Sequence, residues 1–286
     1  MKIIEIEQNT PQWLEFRKPR IGASEAPIIM GISPFTTRYR LWQEKLELVS
    51  RPKMNSRQER GHDLEPKARK CFEKMFGVKT VPRVVVSAKY DWMMASLDGL
   101  SLTNDLFIEI KCPGTIDHEI AISGRIPEKY YPQMQHQLAC TGLEFGYYFS
   151  YDGTQGVGVK VYRNDDYITK LIDQELKFLE MINTFFPPEL VDKDYTKIET
   201  PEWNETAIKY MDISEQYESL GIYKENLKNK LIELSGRSSV IGAGIRLSKV
   251  IKKGHVDYSM IPELLTVNLE QYRKPPIETW RVHRAA

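Results

Sequence analysis

The stretch DLFIEIKCPG, Asp105–Gly114, sets two demands that an ordinary strand does not combine. Phe107, Ile108 and Ile110 are apolar and β-prone, so the run reads as a buried strand. Side chains alternate along a strand. Phe107, Glu109 and Lys111 therefore share one face, and Ile108, Ile110 and Cys112 the other. The second face can pack on a helix. The first sets a carboxylate and an ammonium side by side where a core prefers valine.

Asp98 lies a short way upstream in MMASLDGL, before Gly99, at what reads as a strand-end turn. LTND, residues 102–105, reads as the hairpin turn that returns the chain. If the two strands pair, Asp98 lies near Glu109. Converging carboxylates repel one another, and a divalent cation is the usual remedy. Hard oxygen ligands with few protein contacts favour Mg²⁺, with Mn²⁺ as a substitute. The backbone carbonyl of Ile110 is a third candidate oxygen. Lys111 would then stand where a cation offsets charge developing on a phosphate. Taken alone, Glu109 and Lys111 also fit a salt bridge on an edge strand.

The rest of the chain frames this strand. Helical patterns cover NTPQWLEFRKPR, a stretch beginning near Ser24 with that hydroxyl as N-cap, TRYRLWQEKLEL, and SRQERGHDLEPKARKCFEKMFG with a break or late start at Pro66. Strand-like runs follow in TVPRVVVS, WMMASLDGL and DLFIEIKCPG. Then come a helix in PEKYYPQMQHQLACTG, a hairpin around Asp152-Gly153, and an amphipathic helix closed by Pro187-Pro188. This order indicates an α/β fold with a central mixed sheet flanked by helices. Residues 1–195 form the expected core. After a polar linker near 190–205, residues 196–286 form an extension: a helix or helical hairpin, then two strands around a basic stretch, packed on the core or on a neighbouring subunit. YRKPPIETWRVHR mixes Arg and Lys with Tyr272 and Trp280 and could also meet DNA.

Charge and cysteine content exclude several classes. The net charge of +1 conceals an asymmetry: Asp165–Ser219 holds 14 acids and 5 Lys/Arg, leaving 25 acids and 35 Lys/Arg elsewhere. A basic body suits a polyanion, although solvated helix faces carry such charge too. No run approaches the roughly 20 apolar residues of a membrane helix, and MKIIEIEQNTPQW lacks the apolar segment of a secretory signal. Three scattered cysteines suit neither a disulfide framework nor a four-cysteine iron–sulfur cluster. The expected location is the cytoplasm.

Asp98-x10-Glu109-x-Lys111 resembles the PD-(D/E)xK nuclease core (restriction-endonuclease-like), and the surrounding words resemble its lambda exonuclease and YqaJ group. RIGASEAPIIMGIS is similar to that group's opening motif, RGHDLEPKARKCFEKMFG to its Leu-Glu-Pro helix, and YYPQMQHQLACTG to its glutamine-rich helix. MASLDGL followed by IEIKCPG is similar to its core, with Leu97 where proline is common. The four motifs run in order over residues 10 to 165.

The resemblance implies roles for individual residues. Asp98, Glu109 and Glu65 would hold the metal, although an acid before Pro66 also suits a helix's first turn. Lys111 would be the catalytic lysine, and Gln133 would hold the attacking water. Gln137 shares its helix face and Gln135 does not. Trp13, Arg17 and Ser24 would open a 5′-phosphate pocket, with Arg20, Arg38 and Arg40 as further phosphate candidates. Ser24 could equally be a simple cap, and Trp13 a core residue. The implied activity is 5′–3′ digestion of double-stranded DNA ends by a phage- or prophage-encoded enzyme in a bacterial host. It would form a trimeric ring and work with a single-strand annealing protein. Two rival readings are a sequence- or structure-specific endonuclease of the same superfamily and a non-catalytic DNA-end-binding protein.

Overall fold

The computed structural model describes residues 1–50 and 55–255 and, beyond them, residues 257, 260–262, 264, 267, 272, 274 and 277. The chain divides into two compact units, Met1–Thr196 and Lys197–Ala286.

The first unit is built on seven strands: β1 (Lys2–Ile4), β2 (Ile21–Gly22), β3 (Thr80–Val86), β4 (Met93–Ser101), β5 (Phe107–Lys111), β6 (Phe145–Tyr151) and β7 (Gly156–Tyr162). The sheet order is β1-β3-β4-β5-β6-β7, with β2 also paired to β4. β5–β6 and β2–β4 are parallel and the other pairings antiparallel, so the sheet is mixed. Around it lie α1 (Pro11–Arg17), α2 (Ala26–Ile29), α3 (Arg38–Lys45), α4 (Ser56–Phe76), α5 (Thr115–Ile122), α6 (Tyr131–Thr141) and α7 (Asp165–Asn183). The α/β architecture expected from the sequence is the one observed.

Alternation in β5 sorts the two cores. Ile108 and Ile110 face α4, where they join Ala68, Phe72 and Phe149. Phe107 faces α6 with Met134, Leu138 and Tyr148. Pro66 does not break α4, which runs unbroken to Gly77, whose φ of +70° is a left-handed ending suited to glycine.

The ladder between β3 and β4 contains the decisive irregularity. Arg83 pairs with Leu97 and Val81 with Leu100, so Pro82 alone stands across from Asp98 and Gly99. This is a β-bulge, and Pro82, with no N–H to donate, is suited to it. The extra residue explains why Leu97 and Leu100, three apart, both reach the α6-side core. It also corrects one sequence expectation: Asp98 and Gly99 lie inside β4, not at its end, while the turn falls at residues 102–105 as expected. A Cβ on Gly99 would sit 2.7 Å from Thr80 Oγ1 and 2.9 Å from Ile108 Cγ1, so the bulge admits glycine alone there.

α6 is pinned by a buried ion pair. His136 Nδ1 lies 2.7 Å from Glu175 Oε1 on α7, and its Nε2 lies 2.9 Å from the Met94 carbonyl on β4. An imidazole between two acceptors carries both protons. Burial opposes that charge, but the Glu175 carboxylate outweighs it and the pKa is raised. All three cysteines are free; burial pushes Cys112 up to about 11 and Cys140 up to about 12.

The second unit holds α8 (Pro201–Leu234), a single 34-residue helix and not a helical hairpin. A short hairpin follows, β8 (Val240–Gly242) and β9 (Ile245–Leu247), turning at Ala243-Gly244. The basic stretch Lys249–Lys253 comes after both strands rather than between them. Tyr272 is exposed, and Trp280 lies outside the described residues. Among the described residues no helix is long and apolar enough to cross a membrane.

The His136–Glu175 pair gives a signed pH dependence. A histidine whose folded pKa is raised contributes stability fully below its ordinary 6.5 and loses it as pH climbs through the folded value. The thermal midpoint should therefore fall as pH rises above about 6.5. Melting curves across that range should show a flatter dependence in the His136→Leu/Glu175→Leu double variant.

Candidate active site

β4 and β5 pair at Gly99↔Ile108 and Leu100↔Phe107, and continuing that register sets Asp98 across from Glu109. The backbone ladder stops one step short. In its place Asp98 Oδ2 accepts the Ile110 N–H at 2.7 Å, so a side chain closes the fork between the strands. From the α4 side, Arg69 Nε donates to the Asp98 carbonyl at 2.7 Å, and Arg69 Nη2 holds Glu65 Oε1 at 2.5 Å. One arginine therefore ties Glu65 to the backbone of Asp98.

Glu109 is 2 % exposed and held from α6. Gln133 Nε2 donates to its Oε1 at 2.6 Å, and Gln137 Nε2 to its Oε2. Residues four apart on a helix share a face, which is why both amides arrive together. Gln135 points elsewhere, donating to the Tyr162 carbonyl and accepting the Asn164 N–H. Gln137 Oε1 is buried and has no hydrogen-bond partner among the described residues. Lys111 Nζ donates to Glu109 Oε1 and lies 5.4 Å from the centre of the Tyr130 ring.

The electrostatics show why these groups belong together. Burial pushes the Asp98 carboxyl well above its usual range, the negative charges of Glu109 and Glu65 push it further, and Lys111 opposes them. Burial works against the Lys111 charge, but Glu109 and Asp98 outweigh it and raise its pKa. Among the described residues no three His, Cys, Asp or Glu side chains are gathered into a ready-made metal cage. The donors nonetheless fit a hard divalent cation. Three mutually repelling carboxylates, one of them starved of solvent, gain most from a positive ion among them.

The four residues expected near a phosphate divide differently. Arg17 Nη2 donates to Ser24 Oγ at 3.0 Å and to Glu25 Oε1 at 2.8 Å. Its guanidinium lies over the Trp13 ring at 5.1 Å, and among the described residues its buried Nε has no hydrogen-bond partner. Trp13 is buried against Val84, Val86 and Met94, with its indole N–H on Ser96 Oγ at 3.0 Å. Ser24 is not the helix cap expected from sequence: it lies within the 3₁₀ turn Ala23–Glu25, and α2 has only four residues. Arg20 stacks on Phe16 and donates to the Phe16 and Asp91 carbonyls. Arg40 is engaged by Glu44 and the Ser50 carbonyl, while exposed Arg38 lies against Gly31.

Sequence reasoning missed Glu25. It is 3 % exposed and ion-paired at 2.8 Å to both Arg17 and Lys45, and it accepts the Gly22 N–H at 2.9 Å. Burial opposes its charge, but Lys45 and Arg17 hold its pKa down to about 2. It also missed Arg69 and the equal part of Gln137. The i, i+4 spacing of Glu65 and Arg69 was the available signal for the first.

Residues 12–144 match the family model of the YqaJ-like viral recombinase domain. The chain is 28 % identical over 180 residues to the uncharacterized protein YqaJ of Bacillus subtilis, aligning 60 % of its own length with 56 % of that relative. It thus spans little more than half of that curated protein. Among solved structures, the alkaline exonuclease LHK-Exo of Laribacter hongkongensis is 27 % identical with a TM-score of 0.54, covering 62 % of this chain and 94 % of that one. The same exonuclease in complex with dAMP gives 26 % and 0.55 over the same shares.

Replacing Glu25 strips a buried carboxylate from two cations. Glu25→Gln should cost about 3–5 kcal/mol of folding free energy, the range for deleting one member of a buried pair. Urea unfolding at neutral pH measures it.

Proposed function

We propose that this protein is a divalent-metal-dependent exonuclease that digests double-stranded DNA from a 5′ end and leaves a 3′ single-stranded tail. The observation that carries the reading is the fork between β4 and β5. There Asp98, Glu109 and Lys111 converge, with Glu65 and two glutamines at their flanks. The likeness of the recombinase domain to an alkaline exonuclease supports the same chemistry. A mononucleotide such as the dAMP bound to that relative is what exonucleolysis releases.

In this reading Glu65, Asp98, Glu109 and the Ile110 carbonyl hold Mg²⁺ or Mn²⁺, which supplies Lewis acidity at the scissile phosphate. Lys111 offsets the charge that develops on the phosphoryl oxygens. Gln133 orients the attacking water, and Gln137 keeps the Glu109 carboxylate aimed by donating to its second oxygen. Arg17 and Ser24 receive the terminal 5′ phosphate. Trp13 acts there by holding the guanidinium from beneath, since its own ring is buried. Arg20 shapes the turn that carries the pocket. A trimeric ring around DNA, a single-strand annealing partner, a phage or prophage gene and a bacterial cytoplasm belong to the same proposal on family resemblance.

A duplex labelled at each end in turn, with a closed circular control, tests the reading. Mg²⁺-dependent release should begin from the 5′-terminal label and leave circles intact. Cutting of circles at defined sites would favour the endonuclease reading, and binding without release a non-catalytic end binder. Lys111→Ala and Asp98→Ala should each retain DNA binding while losing hydrolysis by at least about a hundredfold. Either variant cleaving at the wild-type rate would refute the assignment. Arg17→Ala should narrow the preference for 5′-phosphorylated over 5′-hydroxyl ends, and an unchanged ratio would remove Arg17 from the pocket.

A further inference from the structure

The helix α8 contains no buried residue across 34 positions, yet it is rich in large apolar side chains. Eight of the thirteen fall in two rows, with Ile208, Met211, Ile222, Tyr223 and Ile232 outside them. Counting sevens from Trp203 gives Trp203, Tyr210, Tyr217, Lys224 and Leu231; counting sevens from Thr206 gives Thr206, Ile213, Leu220, Leu227 and Leu234. Eight of these ten positions carry a large apolar residue, and all eight are exposed, Tyr217 at 79 % and Leu220 at 65 %. Such a 3.5-residue repeat kept over five heptads is the signature of a helix that supercoils with a partner of the same period. Flanking the Trp203 row, Ala207, Ser214 and Gly221 fall seven apart, and small side chains there let a second helix come close.

We propose that α8 forms an antiparallel coiled coil with α8 of a second copy of this chain. Charge selects both the partner and the direction. Residues 201–218 carry five acids and one lysine, residues 219–234 three lysines and two acids, and Arg237, Arg246, Lys249, Lys252 and Lys253 follow with no acid through 255. A parallel pair would stack the two acidic halves and set Lys224 against its own copy. An antiparallel pair centred between Glu218 and Ser219 lays each acidic half along a basic one. The same centring sets Trp203 against Leu234, Tyr210 against Leu227, and Tyr217 against Leu220, an aromatic ring facing leucine in each layer. Lys224 then meets Ile213, with Asp212 beside it. This pairing does not depend on the nuclease reading, because no residue of α8 belongs to the candidate site.

Disulfide trapping in the full chain tests the proposal. Tyr210→Cys/Leu227→Cys should give a covalent dimer on oxidation, read on a non-reducing gel. Tyr210→Cys alone should give no more than the wild type, whose Cys71, Cys112 and Cys140 set the background. In the antiparallel arrangement its two copies lie about 25 Å apart along the axis. Light scattering should return half the wild-type mass for Leu220→Asp/Leu227→Asp, whatever the state of the nuclease unit, and a retained thermal midpoint would show that the unit stays folded. A dimer from the single cysteine would mean a parallel pair and overturn the proposal. So would failure of the double variant to link, or an unchanged mass, since α8 would then serve a different protein or the chain's own C-terminal residues.

Discussion

The bond from the Ile110 N–H to the Asp98 carboxylate is the constraint around which the site is organised. Where β4 leaves β5, the backbone ladder loses an acceptor, and a buried N–H left open there would be costly. A short acid at position 98 supplies the acceptor and so becomes fixed in a place that would otherwise repel it. The bulge opposite Pro82 is what aims it. Structure and reactivity thus draw on one interaction: the group that completes the sheet is also the group whose charge is hardest to keep.

Glu109 meets the opposite problem. It is nearly sealed from solvent, but its oxygens accept from Gln133, Gln137 and Lys111. Two of these donors are neutral amides. They fix the direction of both oxygens and, unlike Lys111, bring no charge of their own. Glu65 is steadied by Arg69, which also grips the Asp98 backbone, so the three acids are supported from α4, β5 and α6 together.

Much of this was legible in the sequence. The order of elements, the faces of β5, the shared face of Gln133 and Gln137 and the turn at 102–105 follow from period and turn chemistry, which are local. The bulge was not legible, because Asp-Gly is an equally good turn signal and only the partner strand shows that the ladder continues to Ser101. Glu25 was hidden because an acid beside a serine that reads as a helix cap suits a solvated first turn until Lys45, twenty residues on, is folded against it. The basic stretch after β9 was misplaced because alternating apolar residues around lysines imitate a strand. The helix α8 was recognised, but a hairpin and a single rod differ only in whether Gly221 breaks the helix, which one glycine does not decide.

Pro82 carries a consequence for how the chain finds this arrangement. If β4 slid by one residue against its neighbours, Leu97 or Gly99 would come to the Ile110 amide, and neither has an oxygen on its side chain. Pro82 could not repair the error, having no hydrogen to offer the displaced strand. Slippage therefore fails on both edges of β4 at once, and the acid that serves the chemistry also proofreads the alignment of the sheet.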